Sequence, residues 1–185
     1  MKLIHIVWLI VLAVGCKKEK TLDDICGVEA PKYWHGKAGI AQASSNLPYW
    51  EDMRCWARVN KDQFSVDLTK WYKPCDKILC MIEGLPFLQR DSIPNLRRSE
   101  LPKAWFEIVH GDDAFAESYV ILEDADNWIT IDGFNIDSTE IWGRYNLTFV
   151  LSPLSVGMGR YDPTFPDTIF LKDGVYTTRI FSRRF

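Results

Sequence analysis

Along much of the chain, apolar and polar residues take turns. QFSVDLTKW, from Gln63, puts Phe64, Val66 and Leu68 on one parity and Ser65, Asp67 and Thr69 on the other. Period-two alternation predicts a strand with one face buried and one wet. The pattern returns in ESYVILED, where Tyr119 and Ile121 oppose Val120 and Leu122. It returns again in EIWGRYNLTFVL, Glu140 to Leu151, where Ile141, Tyr145, Leu147 and Phe149 share a parity. MRCWARV, AWFEIVH, WITI, TIFL and VYTTRIF read as shorter strands. KILCMIE is apolar on both faces, as in the middle of a sheet. Turn chemistry separates the runs at Asn60-Lys61-Asp62, Gly111-Asp112-Asp113 and Asp132-Gly133. Asp173-Gly174 between two alternating runs predicts a hairpin. Gly143 inside its run predicts a bulge or bend. Leu88 to Pro102 and Ser152 to Pro166 have no period and predict long loops. No stretch keeps a helical period with caps. About nine short strands joined by turns predict an all-β chain, an antiparallel β-sandwich or, as the alternative, a β-barrel.

The first sixteen residues, MKLIHIVWLIVLAVGC, break the pattern. Lys2 is followed by an apolar run from Leu3 to Val14, then by small Gly15 and by Cys16. That order is a secretory n-region, h-region and cleavage site. The run falls short of the roughly 20 apolar residues of a permanent membrane span. A cysteine directly after the small residue resembles a bacterial lipoprotein signal. The resemblance implies cleavage between Gly15 and Cys16, a thioether lipid on Cys16 and acylation of its amine. Each buried CH₂ contributes about 0.8 kcal/mol, so three chains hold where one is marginal. Lys17 rather than aspartate after the cysteine implies, by the same family logic, the outer membrane. The expected organisation is a signal peptide over 1–15, lipidated Cys16 with a tether over 16–31, and one domain over 32–185.

The formal charge of the whole chain is −3, and residues 1–15 carry only Lys2, so the mature chain stands at −4. The only run of like charges is around Lys17–Lys20, which leaves no basic footprint for nucleic acid. Beyond Cys16 there are four cysteines, Cys26, Cys55, Cys75 and Cys80. An even number in an exported chain predicts disulfides, with three pairings open. Buried free thiols and a metal site are the other readings, and no C-x-x-C pair favours metal. Glu123, Asp124 and Asp126 crowd one turn and offer oxygens to a cation such as Ca²⁺, which needs six to eight of them. Solvated turn residues are the plainer reading. Among seven mature tryptophans, Trp71 and Trp142, with Tyr72, are candidates for a sugar-stacking platform; core packing is the alternative for each. His110 precedes a turn, and no G-x-S-x-G elbow is present.

ADNWITIDGFNIDSTEIWGRYNLTFVL and FPDTIFLKDGVYTTRIF, with the earlier FSVDLTKWY and KILCMIEGLP, resemble a set of uncharacterised lipoproteins of Bacteroidota. The likeness covers roughly residues 50–181 and rests on fold motifs. It implies an all-β lipoprotein with no established activity, so it transfers no catalytic residue or cofactor. The expected function is that of an envelope lipoprotein held by its lipid, not an enzyme, acting by binding or scaffolding. A glycan, a small ligand or another envelope protein is the expected partner. A hydrolase built on the acidic turns is the third reading.

Overall fold

The computed structural model describes residues 39–47, 50, 53–60, 63–73, 75–86, 93–94, 96, 102–111, 114–135 and 139–182. Its principal strands are β1 (Gly39–Ser45), β2 (Met53–Asn60), β3 (Gln63–Lys73) and β4 (Asp76–Pro86). Two short pieces, β5 (Ile93–Pro94) and β8 (Trp128–Ile129), pair with each other. The rest are β6 (Lys103–His110), β7 (Ala114–Ile121), β9 (Gly133–Asn135), β10 (Glu140–Leu151) and β11 (Thr168–Ser182). One short helix, α1 (Pro153–Met158), lies between the last two.

Eight of these strands close on themselves. Each of β1, β2, β3, β4, β6, β7, β10 and β11 pairs antiparallel with the next, and β11 returns to β1. Past the start of β1, the end of β11 runs parallel to β2, from Ile180↔Ala57 to Ser182↔Val59, and seals the seam. The sandwich expectation is therefore corrected to its alternative, a closed barrel. The two architectures place the same demand on a strand, one buried face, so alternation alone does not separate them. Closure removes the free edges that a sandwich keeps.

The inward parity is the one that the pattern marks. Phe64, Val66 and Leu68 of β3, Tyr119 and Ile121 of β7, and Tyr145, Leu147 and Phe149 of β10 are fully or almost fully buried. β4 shows its inward set as Ile78, Cys80 and Ile82, with Leu79 and Met81 half-buried outside. Aromatic rings occupy the interior. Phe106 meets Tyr119 edge-on at 5.6 Å, Phe149 at 5.8 Å and Trp50 at 5.9 Å between centroids. An eight-stranded barrel is just wide enough for side chains to fill. The outer face carries charge, as at Arg54, Arg58, Arg144 and Lys172. Apolar inside and charged outside is the reverse of a membrane-spanning barrel.

Two further expectations change. Asp173-Gly174 makes no hairpin, because TIFL and VYTTRIF are one strand, β11. Between Tyr145↔Gly174 and Leu147↔Leu171 that strand carries one residue more than β10. It is a bulge, with Asp173 at φ 52°. The bulge sits where two tyrosines cross two glycines. Gly143 faces Tyr176 and Gly174 faces Tyr145 across the same strand pair. A Cβ on Gly174 would stand 2.5 Å from the Tyr145 ring, and one on Gly143 would stand 2.0 Å from the Thr130 carbonyl oxygen. Tyr176 thereby reaches over β10 and donates a 2.9 Å hydrogen bond to that carbonyl.

The loop expected over Ser152 to Pro166 contains α1. Ser152 caps it, accepting from the Leu154 N–H at 3.3 Å, and Pro153 opens the first turn. The buried Ser155 hydroxyl accepts from the Ser118 N–H at 2.9 Å and donates to the Ser118 carbonyl at 3.2 Å. It takes over the edge of β7 where β10 has turned away.

Cys55 and Cys80 are free, which corrects the disulfide expectation at both. Cys55 lies opposite Leu68 on β3, and Leu68 lies opposite Cys80 on β4. The two thiols are thus two strands apart, about 9–10 Å across the ladder. A disulfide needs its Cα atoms within roughly 7 Å. Cys75 is not a free thiol, and what it bonds lies outside the described residues, as do Cys26 and Cys16. Burial, and secondarily the charge of Asp67, pushes the Cys55 and Cys80 thiols far up. Iodoacetamide should leave both unmodified in the native protein and alkylate both in guanidinium, as read by peptide mass mapping. Modification of either in the native state would contradict this packing.

Candidate functional site

The connections β1–β2, β3–β4, β6–β7 and β10–β11 share one end of the barrel, and the last of them caps it. Phe165 in that connection is buried and meets the Tyr72 ring edge-on at 5.2 Å. Arg160 enters beside it. Its guanidinium bonds the Glu117 and Asp167 carboxylates, the Phe165 carbonyl, and the Tyr119 hydroxyl at 3.1 Å. Glu117 is fully enclosed, and among the described residues its second carboxylate oxygen has no hydrogen-bonding partner. Arg160 is therefore the main compensation for a buried charge.

Asp162, also in the cap, is buried and joined to Lys73. Burial works to raise its pKa, but the Lys73 ammonium and two hydrogen bonds from Thr164 outweigh burial and bring it down to about 2. A depressed carboxylate contributes stability that is complete above its ordinary value of 3.8 and is lost as pH falls through about 2. Lys73→Met should raise the Asp162 value toward the ordinary range and move the acid-unfolding midpoint upward. A carboxylate ¹³C titration of Asp162 that is unmoved by the substitution would refute that account.

At the rim, the His110 Nδ1 lies 2.6 Å from Asp76 Oδ1. The Tyr161 hydroxyl donates to the same oxygen at 2.9 Å and stands 3.0 Å from the same nitrogen. Burial and the neighbouring Asp76 raise the Tyr161 phenol to about 12. A carboxylate on Nδ1 fixes the imidazole, whose side chain is 56% exposed, an arrangement that general bases share. Here it also ties the cap to the ends of β4 and β6. The sequence puts His110 just before a turn, and it is the last residue of β6. Its pairing with Asp76 follows from register, since the two residues stand opposite each other across β4 and β6.

Trp71, Tyr72 and Trp142 do not form one platform. Trp71 points outward beside Lys77, whose ammonium is 5.9 Å from its ring. Tyr72 is on the other parity and packs inward. Trp142 is on β10, diametrically across the barrel from β3. Glu123, Asp124 and Asp126 are spread over the exposed turn after β7. Its buried member is Asn127, whose side chain bonds the Leu122 and Ala125 carbonyls and accepts from the Thr148 N–H. Among the described residues no group of His, Cys, Asp and Glu side chains could hold a metal ion, so the cation reading of that turn is set aside.

The outer face of β1, β11 and β10 is different. Ile40, Thr177 and Trp142 lie in one row across the three strands, and Gln42, Val175 and Arg144 lie in the next. Ile40 is 60% exposed, Val175 47% and Trp142 39%. A groove of about 550 Å³ runs over Ile40, Gln42, Val175 and Thr177, with Glu140 and Arg179 at one end. Trp142 flanks it. The Trp142 ring lies over Gly133 of β9, on the side of β10 away from β11, where a Cβ would stand 2.1 Å from it. Ile40 and Val175 are large apolar residues on the wet parity of their strands, and that was the available signal for this face.

No family model matches the chain, and comparison with curated proteins and with solved structures finds no match for it.

Proposed function

We propose that this chain is a lipoprotein of the bacterial outer membrane, held by lipid on Cys16, whose barrel is a non-catalytic binding module. The observation that carries the reading is the packing of the barrel. Aromatic side chains occupy its interior, and Arg160, Phe165 and Asp162 close one end. The ionisable groups of that end are engaged with one another: Arg160 with Glu117, Lys73 with Asp162, His110 with Asp76. Such a body meets its partner on its outer surface rather than inside. The sequence MKLIHIVWLIVLAVGC supports the anchor, and Lys17 supports the outer membrane over the inner one. Fractionation tests the reading. The wild-type chain should band with outer membranes in a sucrose gradient, and the Cys16→Ala chain should be lost from them. A Cys16→Ala chain that bands with the wild type would overturn the anchor.

A further inference from the structure

We infer that the capped end of the barrel rests on the bilayer that holds the Cys16 lipid, with the exposed face of α1 in its interface. The inference depends on the lipid anchor proposed above and adds which end the barrel turns to the membrane. Two independent observations meet in it, an exposed apolar face and a covalent tie.

The apolar face is on the cap. Leu154 and Met158, each 76% exposed, and Val156, 62% exposed, are the most exposed large apolar side chains among the described residues. They share one helix, whose buried residue, Ser155, holds it to β7. From Ser152 to Gly159 the sequence SPLSVGMG carries no charge. Tyr161 follows, also exposed, at the rim. Asp167, the exposed carboxylate beside it in the cap, is bonded to Arg160. Apolar side chains grouped on one exposed segment mark a contact with a protein or a membrane. Trp71 and Lys77 stand opposite each other across β3 and β4 at the same end. An outward tryptophan beside a lysine suits the headgroup layer of a bilayer.

The covalent tie points to the membrane. The chain has five cysteines. Cys55 and Cys80 are free and Cys75 is disulfide-bonded, so its partner is Cys16 or Cys26. Lipid on the Cys16 sulfur leaves Cys26. Cys75 lies in the β3–β4 turn, at the capped end. Cys26 is 10 positions after Cys16, a reach of at most about 36 Å. The chain enters β1 at Gly39, at the opposite end and 23 positions after Cys16. That entry alone would allow roughly 80 Å and either end toward the bilayer. The disulfide brings the capped end to it, and α1 with it.

The test uses the full lipidated chain in vesicles of phosphatidylethanolamine and phosphatidylglycerol. Non-reducing peptide mapping should find Cys26 joined to Cys75. A benzophenone amino acid is placed at position 154, at 158, or at 134 in β9 at the opposite end. All three positions are exposed, so circular dichroism and melting should stay as in the wild type. Light should couple lipid at 154 and at 158 at least fivefold more than at 134, read by intact mass. Leu154→Asp should cut the coupling at 158 at least fivefold. Equal coupling at both ends, coupling at 158 unmoved by Leu154→Asp, or Cys75 joined to Cys16 would overturn the inference. The same spectra report the acyl groups. Acyl groups present without coupling at α1 would overturn this inference alone, and their absence would overturn the anchor.

Discussion

Replacing Arg160 with alanine should lower the stability of the barrel by about 3 kcal/mol, the lower end of the cost of orphaning a buried charge. The lower end applies because the Arg160 side chain is 25% exposed while that of Glu117 is not exposed at all. In a chain of this length, 1 kcal/mol moves the midpoint by roughly 2–4 °C, so melting should fall by roughly 6–12 °C. The loss has a direction that distinguishes it from lost packing. Arg160 bonds Glu117, Asp167, Tyr119 and the Phe165 carbonyl, but only Glu117 becomes a buried unpaired charge without it. The double variant Glu117→Gln, Arg160→Met should therefore recover most of the stability. A double variant as unstable as Arg160→Ala would show that the cap is held by something else.

Gly143→Ala should be as damaging, at or above the ~3 kcal/mol upper end of core overpacking. The added Cβ would stand 2.0 Å from the Thr130 carbonyl oxygen and 2.9 Å from the Tyr176 ring. The oxygen is backbone and has no rotamer to leave by. To make room, residues 128–131 must separate from β10. That breaks the Thr130 N–H to Arg144 carbonyl bond and the bond from the Tyr176 hydroxyl. Urea denaturation should show a lower midpoint with an unchanged slope. Hydrogen exchange should be fastest at Thr130, Asp132 and Arg144. A variant of wild-type stability would mean that the strand and the tyrosine do not approach as closely as described.

The chain announces its strands more clearly than their closure. QFSVDLTKW and EIWGRYNLTFVL carry their inward face in every second letter. No letter in them says that β11 ends beside β2, because that contact joins residues more than a hundred positions apart. Asp173-Gly174 misleads for a related reason. Its local preference for a positive φ is the same in a hairpin and in a bulge, and only the partner strand decides between them. The cysteine count is plain in the chain, but the placement of the thiols is not. Cys55 and Cys80 share the inward face with Leu68 between them, and composition does not reveal a spacer on a neighbouring strand.

The candidate chemistry divides in the same way. Trp142 could be marked in advance, because a tryptophan among outward polar residues is conspicuous in an alternating strand. Trp71 satisfied the same criterion and sits on the opposite side. Asp76 and His110 lie 34 positions apart and meet only through register. The helix start at Ser152-Pro153 was present as a cap followed by proline. Six residues hold no helical period, so the start stands without the run that would mark a helix.

Native mass spectrometry of the protein extracted from its own membranes tests the central claim most directly. The expected mass is that of the chain from Cys16 plus its acyl groups, with no further molecule retained inside the barrel. A chain without acyl groups, or one carrying a stoichiometric apolar ligand that Phe106→Trp displaces, would contradict a filled barrel held at the membrane by lipid.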